Sequence, residues 1–114
     1  MEKLVRNKIL CHLVENGLLS LKQFGFVSRR STVTQLLNYL DTCADVVASG
    51  GNVDSIYFDF SKAFDTVPHK RLSVKMKAYR IEGKLLSFLT GREQGSVLGP
   101  LLFVIYINDL PDVV

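Results

Sequence analysis

A chain of 114 residues has room for one small domain, and 47% hydrophobic with 22% charged residues fits a globular chain, not a disordered one. The longest apolar run, Leu101–Ile107, falls far short of the roughly 18 residues that span a membrane, and no signal-peptide pattern follows Met1. A net charge of +3 is mildly basic and does not by itself imply a nucleic-acid partner.

Leu4, Val5, Ile9, Leu10, Leu13 and Val14 recur at three- and four-residue spacing and predict a first helix, with Gly17 placed to end it. A loop follows, holding Gln23-Phe24-Gly25-Phe26 and the basic pair Arg29-Arg30. Thr32 is expected to open a second helix, with Thr32-Val33-Thr34-Gln35 as a capping box. Val33, Leu36, Leu37, Leu40, Ala44 and Val47 give this helix one continuous apolar stripe, and Gly50-Gly51-Asn52 stops it.

Val53 to Phe60 alternates as a strand does: Ile56, Phe58 and Phe60 to one side, Ser55, Tyr57 and Asp59 to the other. Asp59 then sits near the carboxyl end of that strand. Leu72, Met76 and Tyr79 predict a helix between Pro68 and Tyr79, and Leu85, Leu86 and Leu89 another ending near Arg92. Gln94 to Pro100 reads as a glycine-rich turn, with Pro100 suited to the first position of a helix. Leu101 to Leu110 is apolar nearly all round, so that helix must be buried. The fold class expected is α+β: helices gathered on a small sheet, for which this chain shows only one evident strand.

Cys11, Cys43, His12 and His69 have neither disulfide-framework nor metal-ligand spacing; each cysteine sits in a helical pattern where a small apolar residue fits, and all four take a structural reading in which the cysteines pack. The charge is unevenly spread. Lys62, Lys70, Arg71, Lys75, Lys77, Arg80, Lys84 and Arg92 are opposed only by Asp65 and Glu82 over that stretch. Such a stretch can neutralise phosphates, although a solvated helix face carries lysines as readily. A carboxylate fixed at a strand end, as expected for Asp59, is a rigid donor to a magnesium ion, since magnesium takes one or two protein oxygens and fills the rest with phosphate and water.

Three blocks carry a resemblance. They are Gln23-Phe24-Gly25-Phe26 with Arg30-Ser31-Thr32, Phe58 through His69, and Gln94 through Phe103 running into Tyr106-Ile107-Asn108-Asp109-Leu110-Pro111. In this order they resemble the motifs of reverse transcriptases of non-long-terminal-repeat retrotransposons, jockey-like elements in particular, over nearly the whole chain. The resemblance implies part of the fingers and palm of a right-hand polymerase, helix-rich with a remnant of the palm sheet, over residues 1–114. It implies RNA-directed DNA polymerisation with Mg2+, an RNA template, a DNA primer and deoxynucleoside triphosphates.

Position by position, Asp59 resembles the first catalytic aspartate of the palm, a ligand of both metal ions. Ser61, Lys62 and Ala63 fall on the turn whose backbone approaches the incoming triphosphate. Phe64 matches the bulky residue that excludes a 2′-hydroxyl, and its other reading is core packing. Gln94 and Gly95 resemble the turn that contacts nucleotide and template, and Arg30 looks like part of the loop facing the template.

Departures from the family pattern accompany it. The family's early fingers motif, its later aspartate pair and its thumb have no counterpart in these residues. Arg92 joins Gln94 through Glu93 alone, where the family has a strand-rich stretch, which implies an internal deletion near 92–94. Val27 stands where a basic residue is common, and Arg80 where glycine is common. The expectation is a reverse-transcriptase-domain protein inactive as this piece. Two alternatives stay open: a nucleic-acid-binding module without catalysis, and an element remnant with no molecular role. An intracellular location is expected, in nucleus or cytoplasm.

Overall fold

A computed structural model describes residues 1–91 and 97–113. Contacts divide the chain into two units. One is discontinuous, Met1–Gln23 with Lys62–Val114; the other is Phe24–Ser61.

In the first unit, α1 runs from Glu2 to Glu15 and buries Ile9, Leu10 and Leu13. It ends as the glycine predicts. Gly17 takes φ +62, the Leu18 N–H donates to the Leu13 carbonyl (2.9 Å), and the Gly17 N–H donates to that of Val14 (3.1 Å). This is a Schellman closure, in which a left-handed residue satisfies the last carbonyls. The Asn16 side chain adds a bond to the His12 carbonyl at 2.7 Å.

The helix α2 (His69–Ala78) follows Pro68, and its one buried stripe is Leu72 and Met76. It closes in the same way as α1, with Ile81 donating to the Met76 carbonyl (2.9 Å) and Arg80 to that of Lys77 (2.9 Å). Here, however, the left-handed position is held by Arg80 at φ +61. A side chain in that region costs on the order of 1 kcal/mol that glycine avoids. The short α3 (Gly83–Thr90) buries Leu89.

The helix α4 (Leu98–Ile107) buries Leu98, Gly99, Leu101, Leu102, Val104 and Ile105. It packs against α2 and α1, and α2 also packs against α3. Pro100 falls in its first turn, where the missing N–H would have had no partner. The core of this unit is therefore α4 enclosed by α1 and α2. Leu13, Leu72, Met76, Leu101, Leu102, Val104 and Ile105 are its fully buried side chains, each worth about 1.5–3 kcal/mol of transfer free energy. A last turn of helix, α5, spans Leu110–Val113.

The second unit contains one helix, α6 (Thr32–Ala48), numbered last because it belongs to that unit. Its cap lies one residue before the position expected: Ser31 Oγ accepts the Thr34 N–H at 3.1 Å and meets Thr34 Oγ1 at 3.0 Å. Gly50 at φ +83 closes the other end, with Gly51 donating to the Val46 carbonyl at 2.9 Å. No residue of α6 is buried. Its stripe of Val33, Leu36, Leu37, Leu40 and Val47 lies exposed.

The sheet expected from the sequence does not occur among the described residues. No strand occurs among the described residues, and Val53 to Phe60, despite its alternation, is irregular and exposed throughout. The α+β expectation with a palm-sheet remnant is corrected to an all-helical arrangement. The reason is physical: a strand exists only as one side of a ladder, and no described segment lies alongside to complete one. What holds this segment is α6. The Tyr39 hydroxyl hydrogen-bonds to that of Ser55. The hydrogen bond with Ser55 lowers the Tyr39 phenol's pKa, but hydrogen bonds involving Cys43 and Tyr57, together with desolvation and the charge of Cys43, raise it, and the net direction is upward.

The cysteines differ from the packed pair the sequence suggests. Cys11 is exposed on α1 and Cys43 half-buried on α6.

Candidate functional site

The second motif block is divided by the boundary between units: Asp59 and Ser61 fall in one, Lys62, Ala63 and Phe64 in the other. Each part is described within its own unit.

Residues 61–65 form a tight turn. Lys62, at φ +50, offers one carbonyl to three donors: the Asp65 N–H (2.9 Å), the Thr66 N–H (3.1 Å) and the Thr66 hydroxyl (3.1 Å). Val67 is buried immediately after it and anchors the turn to the core. Phe64 projects onto α4, where its ring meets Phe103 edge to face, with centroids 5.6 Å apart and planes at 89°. Such a pair is worth about 0.5–1.5 kcal/mol beyond area burial. The packing reading of Phe64 is thus visible in the structure, and it joins the second motif block to the third.

The third block contains a polar cluster. Asn108 is buried at the end of α4 and makes three bonds with its side chain. It donates to the Leu18 carbonyl (2.7 Å) and the Tyr79 hydroxyl (2.7 Å), and accepts the Ser20 N–H (2.8 Å). His12 Nε2 reaches the Tyr79 carbonyl at 2.8 Å. One amide thereby ties the loop after α1 to the end of α2. Beside it, Lys75 donates to the Tyr106 carbonyl and pairs with Asp109, and its ammonium lies 5.7 Å from the centre of the Tyr106 ring. The hydrogen bond from Lys75 holds the Asp109 carboxyl below its ordinary pKa.

Sequence reasoning passed over both groups. Asn108 carried a signal, since an amide at the end of an all-apolar helix must be satisfied if buried. Lys75 carried none, because its partner is far along the chain.

Of the predicted site residues, Asp59, Ser61 and Lys62 are exposed, Ala63 and Arg30 are half-buried, and Gln94 and Gly95 lie outside the described residues. Arg30 stands in the loop just before the α6 cap, its N–H on the Val27 carbonyl at 3.3 Å. Among the described residues no three His, Cys, Asp or Glu side chains gather as metal ligands would. The exposed Asp59 does not by itself supply the set of carboxylates that a two-cation centre shares between its ions.

The ordered motifs agree with one family. The whole chain, residues 1–114, matches the reverse transcriptase (RNA-dependent DNA polymerase) family, and the chain belongs to it. It is similar to the probable RNA-directed DNA polymerase from transposon X-element of Drosophila melanogaster, 31% identical over 133 residues covering 96% of this chain and 15% of that protein. The counterpart from transposon BS of the same species is 29% identical, with the same coverage. The RNA-directed DNA polymerase from mobile element jockey of Drosophila funebris is 27% identical over 98% of this chain and 15% of its own length. The chain thus spans about 15% of the length of these relatives. No solved structure matches it.

Proposed function

We propose that this chain is a reverse-transcriptase-domain segment of a jockey-like retrotransposon, that its family reaction is RNA-directed DNA synthesis, and that these 114 residues alone do not perform it. The observation that carries this is the match of residues 1–114 to the reverse transcriptase family, in a chain that spans about 15% of the length of its relatives. In the whole protein, Asp59 would supply one carboxylate to the metal pair, the turn of Ser61, Lys62 and Ala63 would lie against the triphosphate, and Phe64, steadied by Phe103, would gate the sugar. Gln94, Gly95 and Arg30 would face nucleotide and template. An internal deletion near 92–94 belongs to the same reading. It is supported by matches that run over 133 and 135 residues in relatives of a 114-residue chain.

A second reading, nucleic-acid binding without catalysis, is favoured by one feature. Lys70, Arg71 and Lys77 of α2 are exposed, as are Arg80 and Lys84, whereas Lys75 is engaged with Asp109.

One experiment separates the two. Primer extension on an RNA template with magnesium and deoxynucleotides is expected to give no product, and a product abolished by Asp59→Asn would overturn the first proposal. Binding of RNA in the same mixture is expected to weaken with salt. Replacing Lys70, Arg71 and Lys77 with glutamine should lower the slope of log K against log salt by about 2. An unchanged slope would exclude the basic face as the contact.

A further inference from the structure

Asn16 and Gly17 form the only asparagine–glycine pair in the sequence, and both are exposed. That pairing has its own chemistry. The backbone nitrogen after an asparagine can attack the side-chain amide carbon, and a glycine leaves that nitrogen unhindered because it has no Cβ. The space around Gly17 is open: a Cβ built there would meet nothing within 4 Å.

We propose that Asn16 is a site of spontaneous deamidation, and that the end of α1 is its gate. The folded closure blocks the reaction, and a chain that opens there is altered irreversibly.

In the reaction the Gly17 nitrogen gives up its proton and bonds to Asn16 Cγ, while the Cγ–Nδ2 bond breaks and Nδ2 leaves as ammonia. The product is a cyclic imide of Asn16 Cα, Cβ, Cγ, its carbonyl carbon and the Gly17 nitrogen. Water opens the imide at either carbonyl to give aspartate or isoaspartate. No oxidant or reductant takes part.

Three features of the fold oppose ring closure. Asn16 has ψ 5, which eclipses the Gly17 nitrogen with Asn16's own nitrogen, whereas the ring needs it eclipsed with Cβ. The attacking Gly17 N–H is engaged with the Val14 carbonyl at 3.1 Å. The leaving amide donates to the His12 carbonyl at 2.7 Å and to His12 Nδ1 at 3.3 Å. His12 Nε2 faces the Tyr79 carbonyl at 2.8 Å, so it carries the ring proton and Nδ1 is left to accept. Just beyond, Asn108 holds the Leu18 carbonyl and the Ser20 N–H. Ring closure must therefore wait for this end of α1 to open.

The product cannot restore the closure. An aspartate would set a carboxylate against two acceptors of His12, at a helix C-terminus, where negative charge is disfavoured. An isoaspartate would lengthen the backbone by one carbon and take the Leu18 N–H out of register with the Leu13 carbonyl. Deamidation at Asn16 thus marks chains that have spent time open.

The test incubates the full chain in mildly alkaline buffer, with and without urea, and follows each asparagine by peptide mass spectrometry. In urea, Asn16 is expected to convert ahead of Asn7, Asn38, Asn52 and Asn108, which precede lysine, tyrosine, valine and aspartate. Without urea, its conversion should be slower by at least about tenfold. Asn108→Ala should raise the rate in buffer several-fold and leave the rate in urea unchanged. Tyr79→Phe, which removes one partner of Asn108, should raise it less, and serves if Asn108→Ala loses its helical circular dichroism. Equal rates for all asparagines in urea would overturn the site. Equal rates for Asn16 in buffer and urea, or a rate in buffer that neither folded variant changes, would overturn the gate.

Discussion

The helix with the cleanest one-sided pattern, α6, buries nothing, while α4, apolar nearly all round, buries six residues. Both sequences ask for burial. Only the first unit supplies neighbours, because α1 and α2 bring their own stripes to α4. The contrast teaches that a stripe states a requirement, and the rest of the chain decides whether it is met. Stability should therefore be concentrated in Met1–Gln23 with Lys62–Val114, and Phe24–Ser61 should open at low cost.

The largest effect should come from the core itself. Leu102→Ala, at a site 1% exposed, is expected to cost about 2–5 kcal/mol. Leu37→Ala, on the bare stripe of α6, should stay within about 0.5 kcal/mol. Urea denaturation of the two variants reads the difference, and equal losses would break the comparison between units.

Next comes the polar clamp. Asn108→Ala leaves the Ser20 N–H, the Leu18 carbonyl and the Tyr79 hydroxyl without that partner, and should cost about 1–3 kcal/mol. Hydrogen exchange should locate the loosening at the loop after α1. If the loss appears in α6 instead, the fastening role is wrong.

The smallest effect has the opposite sign. Arg80→Gly relieves a left-handed arginine and should stabilise the first unit by about 1 kcal/mol. The melting temperature of the variant checks it, and a lower value would show that the arginine side chain contributes more than its backbone costs.

Much of this was legible in the sequence because it is local. The end of α1 at Gly17, the end of α6 at Gly50, the Leu72 and Met76 face of α2 and the enclosure of α4 all follow from spacing and from residue conformational preference. Even the oddity of Arg80 could be flagged beforehand, and its φ supplies the reason glycine suits that place. The cap of α6 was misread by one residue because Ser31 and Thr32 are both competent caps.

What could not be read is non-local. Whether Val53 to Phe60 becomes a strand depends on a partner, not on its own alternation. The Lys75–Asp109 pair, the Asn108 clamp and the Phe64–Phe103 contact each join residues distant along the chain. The motif residues themselves were visible as a set. How they would meet in a site was not, since Asp59 and Phe64 fall in different units and Gln94 lies outside the described residues.

The boundary at Gln23 and Lys62 has a further consequence. To the first unit, everything from Phe24 to Ser61 is a single loop. Loop closure entropy grows only logarithmically with length, so doubling such a loop costs about 0.6 kcal/mol. Insertions and losses there would leave α1, α2 and α4 almost undisturbed. A lineage copying this element could thus accumulate length changes in the stretch bearing Asp59 while the core around Leu102 still folded. That stretch is therefore freer to change in length than the sequence that builds the core.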